Sequence, residues 1–266
     1  MLRMASADYR IIERNLRAAM ACFARSKSNG EPVELPGLQL VYSGIPHAVF
    51  NSAMLTEPVL AISDLRRRLD RAQDFYRRRA QTWSLWLCED WIEPSLRGAA
   101  VNVIQDFNLH FSSSPPGMLA PQLRVPQRKL PALDIRPITD TTARLDFCQV
   151  MSLAFEGPFA VLLEAYREER FWNADFTGWI GYRDAQAIST ACTVTHAGAV
   201  GVYAVATIPD EQGKGYGETI VRHAVASAQK KFGIEVSVLQ TSVPGMPLYR
   251  RLGYRQEADF TIYTSR

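Results

Sequence analysis

Excess charge of either sign is scarce in this 266-residue chain: 30 Lys and Arg stand against 27 Asp and Glu, a formal net charge of +3. An excess that small supplies no electrostatic reason for a nucleic-acid or membrane partner. Cysteine is equally sparse. Cys22, Cys88, Cys148 and Cys192 lie far apart with no C-x-x-C pair, which excludes a zinc ribbon and a disulfide scaffold and fits a reducing cytoplasm. Long apolar runs are missing too. Met1 to Arg17 is broken by Arg3, Asp8, Arg10, Glu13, Arg14 and Arg17, so it reads neither as a signal peptide nor as a membrane span, and no later stretch is long enough. What remains is an ordinary globular mixture, 47% hydrophobic and 21% charged, on a length comfortable for two domains.

The stretch Ser112 to Arg128, SSSPPGMLAPQLRVPQR, carries four prolines that cannot donate to a ladder and resist helix continuation. It reads as a loop and sets the expected boundary between residues 1–130 and 131–266. Beyond it the pattern predicts an α/β unit. Ala132 to Ile138 alternates as a strand. Asp140 caps a helix carrying Leu145, Phe147, Val150, Met151 and Phe155, which is interrupted at Gly157-Pro158. A second helix is expected over Phe159 to Trp172, then strands at Thr177 to Arg183, Ile188 to His196 and Gly201 to Ile208, the last apolar on both faces. Pro209 to Gly217 breaks the chain before a helix, Glu218 to Lys231, that ends at Gly233. A strand at Glu235 to Thr241, a short helix at Pro247 to Leu252 and a strand at Asp259 to Thr264 close the unit.

Chemistry is concentrated in Gln212-Gly213-Lys214-Gly215-Tyr216-Gly217. Glycines at 213, 215 and 217 can adopt positive φ and bring backbone N–H groups near a ligand, and the following helix presents its positive end, so a pyrophosphate is a natural guest. Taken alone, the segment is equally compatible with a strand-to-helix turn that holds nothing. Lys214 is not followed by Ser or Thr as a nucleotide-binding P-loop requires, and G-x-G-x-G is not the dinucleotide fingerprint.

The ordered series Ala206-Thr207-Ile208-Pro209, the Gln-x-x-Gly-x-Gly loop, a helix, a strand and Pro247-Leu248-Tyr249-Arg250-Arg251-Leu252-Gly253-Tyr254 resembles the GNAT superfamily of acyl-CoA N-acyltransferases. The resemblance covers Pro131 to Arg266. It implies a mixed, mostly antiparallel α/β sheet flanked by helices, and acetyl-CoA as cosubstrate without a metal. It further implies that Gln212, Gly213, Lys214, Gly215, Tyr216, Gly217 and Glu218 hold the CoA pyrophosphate. Val205 and Thr207 would present backbone groups to the pantetheine arm, with an amide near Val205 facing the thioester carbonyl. Tyr249 falls where the family often has the acid that protonates the departing thiolate, and a phenol has the right basicity. Ser242 stands where many relatives have Asn, a departure that puts the loop through Pro244 in question. Glu156 and Glu164, near the turn between the first two helices, are the candidates for a base, with Glu156 preferred; solvated helix-face carboxylates are the plainer alternative. Tyr203 would line the acceptor pocket or the core. His196, His223 and Cys192 read as surface or packing residues.

The first half echoes the second: an apolar stretch Leu38 to Val49, a helix Asp64 to Arg79, a strand Thr82 to Glu89 and a helix Leu96 to Asp106. No glycine occurs in Thr56 to Asp64, where the pyrophosphate loop would be, so this half is expected to be a smaller, degenerate GNAT-like copy in tandem. Its helix carries Arg66, Arg67, Arg68, Arg71, Arg77, Arg78 and Arg79, an ordinary solvated face or a polyanion patch. Trp83, Trp86 and Trp91 are expected to be buried between the halves. The expected activity is transfer of an acetyl group to the primary amine of a small molecule or peptide, by a monomer or homodimer without a nucleic-acid or membrane partner. The alternative is a catalytically inactive acyl-CoA sensor or protein-interaction module.

Overall fold

The computed structural model describes residues 8–172 and 175–266; Arg3, noted above, lies outside them. In chain order the first half contains α1 (Asp8–Arg25), β1 (Glu31–Leu35), β2 (Leu38–Tyr42), β3 (Ser52–Leu55), α2 (Ile62–Arg77), β4 (Ser84–Cys88), α3 (Arg97–Asp106), β5 (Leu109–Ser113) and β6 (Pro116–Ala120). The second contains β7 (Asp134–Pro137), α4 (Thr141–Phe155), α5 (Phe159–Tyr166), β8 (Phe176–Arg183), β9 (Gln186–His196), β10 (Ala199–Thr207), α6 (Tyr216–Phe232), β11 (Ser237–Gln240), α7 (Met246–Leu252) and β12 (Arg255–Ser265).

Most predicted elements of the second half are present, for the reasons read from their residues. Asp140 accepts from the amide of Ala143 at 2.8 Å and caps α4. Gly233 and Gly253, both at positive φ, end α6 and α7. The helix expected to reach Trp172 stops at Tyr166, and Glu169–Phe171 forms a separate single turn. The larger correction concerns Ser112 to Arg128, which is not all loop. Pro115 precedes β6 and Pro116 is its first residue, positions where a missing N–H does least harm to the ladder. Pro121 follows the strand directly.

All described strands join one sheet in the order β1-β2-β3-β4-β12-β6-β11-β10-β9-β8-β7, with β5 also on β12. β6 therefore lies between β11 and β12, inside the second half's sheet, although it precedes the expected boundary. Conversely, the end of β12 pairs with β4 and β5 of the first half, from Phe260↔Cys88 to Thr264↔Ser84 and from Tyr263↔Phe111 to Ser265↔Leu109. The segment β5–β6 runs antiparallel to β12 along its length, so each half lends the other a strand. The halves also share an internal order: antiparallel strands, then a helix, then a strand that meets its predecessor in parallel, at Ser52↔Ser84 and Ala53↔Leu85 in one and Val200↔Ser237 and Gly201↔Val238 in the other. The first half is thus a second copy of the same plan.

The N-terminal helix α1, which its interspersed charges conceal in the sequence, crosses one face of this sheet. It packs on β9, β10, β11, β6 and β12, burying Ile12, Leu16, Ala19, Met20 and Phe23. Asn15, fully buried, places its amide nitrogen 3.0–3.1 Å from the carbonyls of Val194, His196 and Ala199 and accepts from the Tyr203 hydroxyl at 2.7 Å. Gly201 permits this approach: a Cβ there would lie 1.8 Å from Asn15 Oδ1. On the opposite face α6 buries Ile220, Val221, Ala224 and Val225 against Met118, Ala120, Val202 and Leu239. Because Asn15 satisfies several buried carbonyls at once, Asn15→Ala is expected to cost roughly 2–4 kcal/mol in chemical denaturation, more than one ordinary hydrogen bond. A loss under about 1 kcal/mol would show that α1 is not pinned this way.

Candidate functional site

β10 and β11 pair only at their beginnings. After Gly201↔Val238 no further pair joins them, and β10 diverges through a bulge between Tyr203 and Ala206 in which Ala204 takes φ of 49°. On its other edge β10 is held to β9: the Thr190 hydroxyl donates to the Ala204 carbonyl and the Ser189 hydroxyl to that of Ala206, each at 2.9 Å. The edge facing β11 is left open over Val205 and Thr207, both partly exposed. Backbone donors that lack a strand partner in a wedge of this kind are available to a ligand.

The glycine loop sits at the end of the wedge. Gly213 and Gly215 take φ of 76° and 100°, whereas Gly217 belongs to the first turn of α6 and needs no positive φ, which corrects one of the three glycine assignments. Space beside Gly213 is open, with no atom within 4 Å of the point where a Cβ would stand, while a Cβ on Gly215 would meet the Pro131 ring at 3.1 Å and an Arg128 guanidinium nitrogen at 3.3 Å. The loop is held rigidly from behind. The Gln212 side-chain amide donates to the Thr207 carbonyl at 3.0 Å, and the buried Glu211 pairs with Arg183 at 2.6 Å and with Lys214 at 3.2 Å. Tyr216 is buried, its ring beneath Arg183. Glu218 is buried and turned onto Arg222, at 2.8 and 3.0 Å, so its carboxylate ties the first turn of α6 and does not face the loop's open side. The site thus presents main-chain amides at a helix N-terminus, an anion-binding arrangement.

Across the wedge, Ser242 is exposed and its hydroxyl accepts from the Gly245 amide at 3.3 Å, shaping the turn into α7. Tyr249 is 7% exposed on α7, edge-on to Tyr254 at 5.7 Å. Burial, and secondarily Tyr254, push its phenol above the ordinary tyrosine range, so it is protonated at neutral pH and a weaker acid than an exposed phenol. Glu156 is placed elsewhere: it ends α4 in the left-handed region, φ 53°, with its side chain in solvent. Glu164 is half-buried on α5, its backbone carbonyl taken by Lys27.

Other candidates resolve as packing. Tyr203 is committed to Asn15, and His223 stands edge-on to Trp179 at 4.5 Å with its basicity lowered by burial. All four cysteines are free and buried, and burial raises each thiol, leaving no activated nucleophile among them. Trp83 stacks on Tyr76 within the first half's own core and not between the halves, whereas Trp91 meets Tyr9 of α1. The arginine face of α2 is largely neutralised: Arg66 pairs with Asp106, Arg67 and Arg68 with Asp64, Arg77 with Asp74 and Arg79 with Glu31. Among the described residues no group of His, Cys, Asp and Glu is arranged to hold a metal ion, and no helix is long and apolar enough to cross a membrane.

In the first half the corresponding wedge is shut. Val59, fully buried, bridges to Ile92, its amide donating to the Trp91 carbonyl at 2.7 Å. The loop that replaces the glycine turn points carbonyls inward: the buried Arg68 guanidinium donates to those of Glu57 and Pro58, and to that of Gly37 in the β1–β2 turn, at 2.7–3.0 Å, and it also pairs with Asp64. A loop whose carbonyls converge on a guanidinium presents acceptors, and not the N–H donors that an anion needs.

Residues 169–256 match the family model described as the acetyltransferase (GNAT) domain. No curated protein matches the chain in sequence. Among solved structures, a GCN5-related N-acetyltransferase from Kribbella flavida is similar at 20% identity and a TM-score of 0.71, covering 98% of this chain and 96% of its own. A GCN5-related N-acetyltransferase from Sphaerobacter thermophilus has 13% identity and a TM-score of 0.55, with coverage of 97% and 92%. A tandem GNAT protein from the clavulanic acid biosynthesis pathway has 13% identity and a TM-score of 0.55, with coverage of 98% and 96%. With the duplicated sheet plan, these likenesses identify a tandem GNAT fold, and residues 169–256 of its second half match the model of the acetyltransferase (GNAT) domain.

Proposed function

We propose that the second half binds acetyl-CoA in the β10–β11 wedge and transfers its acetyl group directly to a primary amine in a ternary complex, in a reducing cytoplasm. The observation that carries this reading is the open wedge ending in a rigidly backed glycine turn at the start of a 17-residue helix. Backbone amides of Gly213 to Gly217 take the diphosphate, and the free edge of β10 at Val205 and Thr207 takes the pantetheine arm. An amide of the bulge faces the thioester oxygen, where negative charge develops as the amine attacks. The C–N bond forms and the C–S bond breaks; the nitrogen gives up a proton to solvent, the departing thiolate takes one from Tyr249 across the wedge, and solvent restores the phenol. Lys214 and Ser242 border the same cleft, Glu218 supports it from behind through Arg222, and Glu156 is the solvent-side carboxylate of the α4–α5 turn.

Calorimetry with CoA, paired with thiol release from acetyl-CoA across an amine panel, tests the reading. Binding together with release supports transfer, and binding without any release favours an acyl-CoA sensor. Gly215→Ala forces a side chain into positive φ against Pro131 and is expected to weaken CoA about tenfold, the equivalent of roughly 1–2 kcal/mol of strain. Unchanged affinity would remove the loop from the site. Tyr249→Phe is expected to lower kcat about 10²-fold or more with little change in CoA affinity, as removal of a proton donor does. Wild-type turnover in that variant would leave Tyr249 as a packing residue.

A further inference from the structure

The glycine turn offers N–H donors to a diphosphate, but the cations of its own segment are already engaged. Arg183 and Lys214 both pair with the buried Glu211, at 2.6 and 3.2 Å, and Arg222, further along α6, gives its guanidinium to Glu218. The diphosphate of CoA is dianionic, and its 3′-phosphate adds nearly as much charge again at neutral pH. Countercharge for this end of the molecule comes from outside the motif, from the linker of residues 121–131 that joins β6 to the second half.

Pro121, Pro126 and Pro131 stiffen this linker, and contacts with α6 and α7 pin it. Leu123 packs on the apolar cluster that α6 and α7 share. The Arg124 amide donates to the Leu252 carbonyl at 2.9 Å, and the Arg124 carbonyl accepts from the Arg222 side chain at 2.5 Å. The Pro131 carbonyl accepts from the Thr219 hydroxyl at 3.3 Å. The chain therefore runs from the end of α7 past Arg222 and Thr219 to the glycine turn. Between those pins Arg128 brings a guanidinium nitrogen to 3.3 Å from the point where a Cβ on Gly215 would stand. Arg124, Arg128 and Lys129 are exposed, and none of them forms an ion pair among the described residues. Residues 107–133 contain no carboxylate at all. The contrast with α2 is direct, since most of its arginines have acidic partners. Unpaired cations gathered at the positive end of a helix are unfavourable unless an anion lies between them.

We propose that the linker between the halves is a cationic strap for the nucleotide end of CoA: Arg128 pairs with the diphosphate beside Gly215, and Arg124 and Lys129 hold the 3′-phosphate. This rests on the CoA-binding reading above. The planar guanidinium fork matches two phosphate oxygens at once, while the loop amides take the others. The strap makes and breaks no covalent bond; it acts on affinity and on the choice between CoA and nucleotides of lower charge. Its three cations precede Pro131, outside the stretch that carries the family resemblance and outside the matched residues 169–256, so the contact belongs to this chain's own way of joining its halves.

The test is calorimetry of the full chain with CoA and with dephospho-CoA, which lacks the 3′-phosphate. The proteins are wild type, Arg128→Gln, Arg128→Lys, the double variant Arg124→Gln/Lys129→Gln, and Arg78→Gln, which removes an exposed charge from α2. Wild type should bind CoA about fivefold more tightly than dephospho-CoA. Arg128→Gln should weaken both ligands about tenfold, and Arg128→Lys should recover part of that loss. The double variant should lose the preference for CoA while holding dephospho-CoA within about twofold of wild type, and Arg78→Gln should change neither ligand by more than about twofold. Raising salt from about 50 to about 500 mM should weaken CoA more in wild type than in Arg128→Gln. Unchanged affinities in Arg128→Gln, a wild type that does not distinguish the two ligands, or an equal loss in Arg78→Gln overturns the proposal. Failure of wild type to bind either ligand overturns instead the CoA-binding reading on which it rests.

Discussion

The antiparallel pairing of Leu109–Ala120 with Arg255–Ser265 is the constraint on which the rest of the molecule depends. Each partner begins in one copy of the fold and ends in the other, so neither sheet is complete without the other's strand. β6 supplies the neighbour that β11 needs on the side away from the wedge, and β11 positions the turn that leads to Ser242 and Tyr249. α1 then crosses the junction and ties the start of β10 through Asn15. The wedge is therefore built on parts that the first half contributes, although the loop residues that would contact CoA all lie in the second.

Two copies of one plan have diverged at the same place. In the second, β10 and β11 part after two pairs and the gap ends in Gly213 and Gly215, whose backbone offers donors to an anion. In the first, β3 and β4 part after two pairs and are rejoined by Val59 and Ile92, and Arg68 collects the carbonyls that face inward. The loss of glycine is matched by a change in the sign of the group the loop can accept. The first half keeps a structural use, as the lender of β6 and α1.

How much of this was legible depended on the range of the interaction. α6, with its glycines before and after and its apolar face, was readable because every signal lies within one turn or two. The wedge residues came from an ordered series of local motifs; the structure sets Gln212 to Gly215 in the turn before α6 and Gly217 inside its first turn. The shared strands were not legible, because nothing local in Met118-Leu119-Ala120 indicates whose sheet it completes, and the flanking prolines argued for a loop. α1 was hidden by the charges of Arg10, Glu13, Arg14 and Arg17 among its apolar positions. Arg68 could not be told from its neighbours on α2, since only the tertiary structure shows which arginine turns inward.

The central claim is that the second half cannot form its wedge without the strand and helix lent by the other. Residues 131–266 produced alone should lack cooperative unfolding and bind no CoA by calorimetry, and both properties should return when residues 1–130 are co-expressed with them. A folded monomer of 131–266 that binds CoA as the whole chain does would contradict it.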